Sequence, residues 1–221
     1  MTLHPSRLTE SQREVLASTA TVLSPLGFYL AGGIALTLQL GHRQSEDLDW
    51  FRQEPVNPRL LAEQLHDAGV SGAILREAQD TLYLDVRGVP LSAMRYRYPL
   101  LAPTVSATDF GCELASVLDI GCMKLSAICG RTEKKDYFDL AVIARGGFPL
   151  LSFLDAYQLK FEGADVYSVV VALTYFDDVE LSASDIPELE RKGTWAGVKK
   201  TLLQWVRTME RERKARSSRS W

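Results

Sequence analysis

The sequence predicts an α+β fold, with an α/β first half and an all-helical second half. Three observations carry this. Short apolar runs separated by Gly, Pro and polar turns fill the chain as far as Pro103. From Ser116 onward the apolar spacing changes to three and four residues, the period of a helix. The 221 residues are 46% hydrophobic and 24% charged, an ordinary globular mixture long enough for one large domain or two lobes. The expected division is residues 1–110 for the α/β core and 111–221 for the helical lobe.

In chain order, Ser11–Val22 reads as a first helix, with Val15, Leu16 and Val22 apolar among polar residues. Leu26-Gly27 breaks it, and Phe28–Ala31 reads as a short buried strand. Gly32-Gly33 is a tight turn, where the backbone can adopt positive φ or approach a ligand closely. Ile34–Leu40 reads as a short helix, Gly41–Ser45 as a polar loop and Asp47–Phe51 as a second strand. Pro58–Ala68 is an amphipathic helix with Pro at its start. Thr81–Val86 and Val89–Tyr96 form two antiparallel strands turning at Arg87-Gly88. In the second half, Leu118, Cys122, Leu125 and Cys129 mark one apolar helical stripe. Gly130–Glu133 loosens that helix and Lys135–Ala144 resumes it. Gly146-Gly147-Phe148-Pro149 is a breaker and a candidate lobe boundary. Leu151–Phe161, Asp165–Tyr175 and Trp195–Arg213 read as three further helices.

Composition narrows the function classes. The longest apolar candidate, Val166–Leu173, is far short of the ~18 residues that cross a bilayer, so no membrane association is expected. The first ten residues have no apolar signal-peptide core, and a cytoplasmic location is expected. Cys112, Cys122 and Cys129 form no CxxC pair, and His4, His42 and His66 have no ligand spacing. A disulfide framework and a zinc site are therefore not expected, and the thiols read as buried and reduced. Net charge is −3, but residues 191–221 carry ten Lys/Arg against two acids, a balance of +8, which leaves −11 on the rest. Such asymmetry suits a polyanionic partner near the C-terminal end, although a solvated helix with a cationic tail has the same composition.

The most informative residues are Asp47 and Asp49. Strand side chains alternate, so both carboxylates fall on one face with Leu48 on the other. Side by side, they repel unless a cation lies between them or one is protonated. Mg²⁺ is the natural partner, and it commonly also holds substrate phosphates. The upstream Gly32-Gly33 turn opens a helix whose first amides suit phosphate oxygens. Two acids on a strand are usually no more than solvated acids. The whole unit, strand–Gly-Gly–helix–loop–Asp-Leu-Asp, is more specific.

A second constellation is Lys124, Arg131, Lys135, Asp136 and Asp139. Lys124 and Arg131 are two turns apart, and Asp136 and Asp139 share a face. Together they could hold a triphosphate and orient a nucleophile. Taken singly, each could equally be a surface salt bridge, worth ~0–1 kcal/mol.

These two stretches resemble the AbiEii-like nucleotidyltransferases, toxins of type IV toxin–antitoxin and abortive-infection systems within the DNA polymerase β-like superfamily. The first motif is Phe28–Leu36 with Gly41-His42-Arg43, Ser45 and Asp47-Leu48-Asp49. The second is Asp119, Lys124, Arg131, Lys135-Asp136 and Asp139-Leu140. The resemblance runs from about Tyr29 to about Val142. It implies a polymerase β-like core with a mixed sheet and a helical C-terminal lobe. It also implies transfer of a nucleoside monophosphate from an NTP, dependent on Mg²⁺ or Mn²⁺, with tRNA or another RNA as acceptor and an antitoxin or its repressor activity as counterpart. By position, it implies that Asp47 and Asp49 hold metal and that Gly32 and Gly33 face the triphosphate. Lys124, with Arg43, Arg131, Lys135 and Asp136, would meet the nucleotide, and Asp139 would assist the acceptor or metal.

Two departures stand out. Ile34 follows the Gly pair where the family has Ser or Thr, and Ser92 stands where many superfamily members carry a third carboxylate. Asp85 on the neighbouring strand is a candidate replacement. These departures keep two further readings open: transfer to a small molecule or a protein hydroxyl, and a catalytically weakened nucleotide- or partner-binding module. Of the remaining residues, Trp195, Val198, Leu202, Trp205 and Val206 form a helical stripe suited to packing. Tyr96-Arg97-Tyr98 interleaves aromatic and basic groups as nucleic-acid grooves do, a pattern that an edge strand with a solvated arginine shares.

Overall fold

The computed structural model describes residues 2–180 and 195–218, and the chain divides into two compact units, Met1–Ser116 and Val117–Trp221. The first contains one seven-stranded mixed sheet in the order β3-β4-β5-β2-β1-β7-β6. Its strands are β1 Tyr29–Ala31, β2 Leu48–Arg52, β3 Ala73–Ala78, β4 Thr81–Val86, β5 Val89–Arg95, β6 Val105–Ala107 and β7 Cys112–Leu114. β2 runs antiparallel to β1 and parallel to β5, and β1 runs parallel to β7. Residues 111–116, expected in the helical lobe, instead carry β7 and complete this sheet.

Three helices belong to this unit: α1 Glu10–Leu23, α2 Gly32–Leu40 and α3 Pro58–Asp67. α1 begins with a reciprocal cap, in which the Thr9 side chain accepts from Gln12 N and Gln12 Oε1 accepts from Thr9 N. It buries Gln12, Val15, Leu16, Thr19, Ala20 and Leu23, the stripe that its spacing predicts. α2 is buried on nearly every side, with Ile34, Ala35, Leu36 and Leu38 wholly enclosed, as befits a helix inside a core. α3 starts on an Asn57 side-chain cap with Pro58 at its first position.

Across the sheet, Leu30, Trp50, Ala93 and Leu82 stand in register and are fully buried. One residue along, the register row is Ala31, Asp49, Ser92 and Tyr83, on the opposite face. The β4–β5 hairpin turns where expected, on Arg87 and Gly88, both at positive φ.

The second unit is helical: α4 Val117–Gly130, α5 Lys134–Arg145, α6 Leu150–Lys160, α7 Val166–Thr174, the short α8 Asp177–Glu180 and α9 Trp195–Ser217. The α4 stripe differs from expectation. Leu118 is half-buried and Cys129 exposed, whereas Ile120, Cys122, Leu125 and Ile128 are buried together with Asp119 and Lys124. Two charged residues occupy inward positions there, which a count of apolar residues misses. Cys122 is a buried thiol as expected, and burial pushes it up to about 12. The Gly146–Pro149 breaker is not a unit boundary. It joins α5 to α6 inside this unit, and the Phe148 carbonyl accepts from Trp205 Nε1 at 2.7 Å. Trp205 packs edge-on to Phe153, and α9 buries Val198, Leu202, Trp205, Val206 and Met209, so its stripe is a packing face. Asp119 and Lys160, both wholly buried, pair at 2.8 Å.

Candidate active site

Asp49 lies on β2 and Asp47 immediately before it. Both are half-buried, while Leu48 and Trp50 between and beyond them are fully buried. Within β2 the burial alternates, with Leu48 and Trp50 inward and Asp49 toward the more open face; Asp47 precedes the strand. Asp49 Oδ1 accepts a 2.7 Å hydrogen bond from Ser92 Oγ, its register partner on β5. A Cβ on Gly32 would lie 2.1 Å from Asp49 Oδ2, and Gly32 has φ +63°. Glycine is thus required there twice over, once for the backbone and once for the carboxylate.

Gly33 is closely approached by two side chains. A Cβ there would stand 2.2 Å from Ser45 Oγ and 2.8 Å from Arg43 Nη2. Arg43 is not a solvated loop residue; it is buried, with Nη1 donating to the Gln44 carbonyl at 2.8 Å. The loop is tied to α1 by Gln12 Nε2, which donates to the carbonyls of Ser45 and Glu46. Ala31 caps α2 with no side-chain hydrogen bond, leaving the amides of the first turn to other acceptors. Ile34 is a core residue with no exposure, so the hydroxyl beside this turn belongs to Ser45. Ser45 stood in the first motif but was given no task there; its closeness to Gly33 depends on the path of the loop, which the sequence does not fix.

Asp85 does not join the carboxylates. Its Oδ1 accepts from Gly88 N at 2.8 Å and fastens the hairpin turn. It also lies on β4, beyond β5 from β2, and two strand spacings are about 10 Å.

In the second unit, Lys124 Nζ lies 2.6 Å from Asp136 Oδ1 and 2.8 Å from Asp139 Oδ2. Arg131, just past the end of α4, donates from Nε and Nη2 to the two oxygens of Asp136, a bidentate pair. Asp136 and Asp139 have no exposed side-chain surface and Lys124 has 8%, whereas the Arg131 side chain is 53% exposed. This is a buried ionic cluster, so the small surface-pair magnitude does not apply to it. Burial alone would lower the Lys124 pKa, but Asp139 and Asp136 outweigh it and hold the ammonium above its usual range. Burial alone would likewise raise Asp136, but Lys124 and then Arg131 hold it below the usual carboxylate range. Lys135 is not part of this cluster; it is half-buried and pairs with Glu133 at 3.5 Å.

Among the described residues, no group of three or more His, Cys, Asp or Glu side chains could hold a metal ion. Asp47 and Asp49 nevertheless fit a hard divalent cation, because Mg²⁺ typically takes only one or two carboxylates and completes its shell with water and substrate phosphates. No helix among the described residues is long and apolar enough to cross a membrane.

The mixed sheet followed by a helical lobe is a fold found in solved nucleotidyltransferase structures, and the protein belongs to that class of enzyme. More narrowly, residues 77–208 match the model of the nucleotidyl transferase AbiEii toxin family of type IV toxin–antitoxin systems, and the chain belongs to that family. The match includes Ser92 and the Lys124–Asp139 cluster, and it extends into α9, past the end of the resemblance read from sequence. An uncharacterized Aquifex aeolicus (strain VF5) protein, aq_aa25, is 35% identical over 175 residues, 78% of this chain and 84% of that protein. Two solved structures share the fold. MenT4, a nucleotidyltransferase toxin from Mycobacterium tuberculosis H37Rv, is 16% identical with TM-score 0.56, covering 92% of this chain and 87% of its own. JHP933 from Helicobacter pylori is 20% identical with TM-score 0.54, covering 99% and 100%.

Proposed function

We propose that this family member transfers a nucleoside monophosphate from an NTP to an RNA acceptor, with Mg²⁺ or Mn²⁺ held by Asp47 and Asp49. The observation that carries the reading is the pairing of Asp49 with Gly32: a carboxylate packed against a positive-φ glycine that opens a helix with no side-chain cap. That arrangement sets metal-binding oxygens beside amides suited to phosphate. When bound, the metal would supply Lewis-acid stabilisation of the phosphoryl oxygens.

The protein's own groups have distinct tasks in this reading. Gly32 and Gly33 let the backbone approach the triphosphate, Ser45 offers a hydroxyl, and Arg43 adds fixed positive charge beside the turn. Ser92 orients Asp49. Lys124, its ammonium held by Asp136 and Asp139, is the lysine that the family motif assigns to the nucleotide. Arg131, held by Asp136 yet half in solvent, is the second cation assigned to the nucleotide. Asp139 keeps Lys124 charged and in position, and a direct part in handling the acceptor or metal is the further role inferred for it. Lys135 is a peripheral cation in this scheme. The family's toxin–antitoxin setting favours an antitoxin counterpart for this chain, acting on the toxin or on its expression.

The test is incubation of the pure protein with each labelled NTP, Mg²⁺ and total RNA, with wild type compared to Asp49→Asn. Labelled RNA from wild type only, together with weaker Mg²⁺-dependent NTP binding by the folded variant, is the expected result. Label on protein or a small molecule instead would move the acceptor, and unchanged Mg²⁺ dependence in Asp49→Asn would refute the metal assignment.

A further inference from the structure

The carboxylate face of β2 continues past Asp49 into a file of aromatic rings. Phe51, two residues on, is on the same face and about 7 Å further along the strand. Tyr96 extends β5 by one hydrogen bond, its N donating to the Arg52 carbonyl at 2.7 Å. Its ring stacks on Phe51 with centroids 5.0 Å apart and planes 15° from parallel. Tyr98 meets Tyr96 edge-on at 5.3 Å and is 44% exposed. Arg97, between the two tyrosines, is exposed. β5 lies inside the sheet, between β4 and β2, so this segment is not an edge strand; it leaves the sheet at the strand's end.

Simple packing explains the buried part of such a file but not its outer end, where an aromatic ring and a cation face solvent. We propose that Phe51, Tyr96 and Tyr98 form a stacking platform for the bases at the single-stranded end of the RNA acceptor, with Arg97 beside its phosphates. The proposal rests on the RNA-acceptor reading above and names its binding site. Three features select single-stranded RNA as the occupant. Aromatic faces take any base but need it unpaired, since bases in a duplex have their faces covered. Interleaved aromatic and basic residues are how single strands are bound without sequence readout. The file also starts at the carboxylate pair, so a strand lying on it has its end directed at the reacting groups.

The test uses the full-length protein and a labelled single-stranded oligoribonucleotide of about twelve nucleotides, with a blunt duplex of the same RNA as comparison. Fluorescence anisotropy at several salt concentrations gives affinity and slope, and calorimetry gives NTP affinity. Tyr98→Ala, at an exposed position, is expected to weaken single-strand binding about five- to hundredfold. Tyr98→Phe should restore it, Arg97→Ala should flatten the salt slope by about 0.7, and NTP affinity should stay at the wild-type value in all three. Duplex RNA should bind weakly throughout. Wild-type affinity and labelling of RNA by Tyr98→Ala and Tyr96→Ala would overturn the platform while leaving the RNA acceptor standing. Loss of NTP rather than RNA affinity would assign the rings to the nucleotide and also overturn it. A wild-type protein that labels some other acceptor and binds no single strand would defeat both readings.

Discussion

Ser92 Oγ donates to Asp49 Oδ1 across the parallel pair β2–β5, directly opposite in register, so a hydroxyl stands where the resemblance read from sequence implies a third carboxylate. The exchange converts a repulsive contact into an attractive one. A carboxylate at residue 92 would need a cation to sit beside Asp49, whereas a hydroxyl supports Asp49 with or without one.

Restoring the acid should therefore make the fold cation-dependent. Ser92→Asp is expected to lower Tm relative to wild type in a chelator, because Ser92 is buried and the new charge faces Asp49. Added Mg²⁺ should recover Tm in the variant by more than it raises wild type. Equal Mg²⁺ shifts in the two proteins would show that the divalent ion does not sit at this pair.

The two glycines of the turn should fail in different ways. Gly32→Ala meets a left-handed backbone, at about 1–2 kcal/mol, and also displaces Asp49. Gly33→Ala has no such backbone penalty, and the atoms it meets belong to the movable side chains of Ser45 and Arg43. Denaturant unfolding should rank Gly32→Ala as the less stable, while both lose nucleotide transfer. A Gly33→Ala protein that keeps wild-type transfer would remove Ser45 and Arg43 from the proposed site.

These glycines also mark how far the sequence could be read. The strand that carries Asp49, the turn at Gly32 and the Arg87-Gly88 hairpin were legible because their signals are local: alternation along a strand, or a turn that demands positive φ. β3, β6 and β7 were not. β6 and β7 are three residues each, too short for a periodic signal, and β3 is exposed on nearly every residue with a register shift between Ile74 and Arg76. Lys124 was legible as a motif but not as a buried group, since burial depends on Asp136 and Asp139 arriving from another helix. Asp85 shows the reverse error: a carboxylate on the correct sheet face whose partner, Gly88, is three residues away along the chain.

The ionic cluster of α4 and α5 predicts a specific pH dependence. Asp136 titrates below its ordinary 3.8 in the folded protein, so its contribution is complete above that pH and lost as pH falls through the depressed value. Lys124 titrates above its ordinary 10.5, so its contribution is complete below that pH and lost as pH rises through the raised value. At pH 7, Lys124→Ala should cost roughly 3–5 kcal/mol, because two carboxylates without exposure lose their shared cation. The deficit of Asp136→Asn relative to wild type should shrink in strong acid, where the wild-type carboxylate is also neutral. Urea midpoints across pH measure both, and a Lys124→Ala loss below about 1 kcal/mol would mean a surface pair after all.

The basic C-terminal segment gives the last prediction. Arg191 and Lys192 lie outside the described residues, as does Arg219. Within α9 the last buried residue is Met209, and beyond it Arg211, Arg213, Lys214 and Arg216 are all exposed. Arg216 lies 3.8 Å from Asp155, with both side chains more than half exposed, a pair that solvent and salt screen heavily. Truncation after Glu210 therefore removes five Lys/Arg and one acid without touching the packing stripe. The fold, and NTP binding at the glycine turn, should be unaffected. RNA binding should weaken, because the chain outside residues 191–221 is at −11 and offers phosphates little compensation. Each phosphate that the truncated protein no longer neutralises should flatten the plot of log affinity against log salt by about 0.7 for a single strand. A drop of about two or more in that slope, with unchanged Tm and NTP affinity, is the expected outcome. It also separates this tail from the aromatic platform. The tail acts through charge and fades at high salt, whereas loss of Tyr98 acts through stacking and persists there. Equal affinity and slope for truncated and full-length protein would make the segment a solvated helix end, leaving the RNA acceptor to be argued from the aromatic face alone.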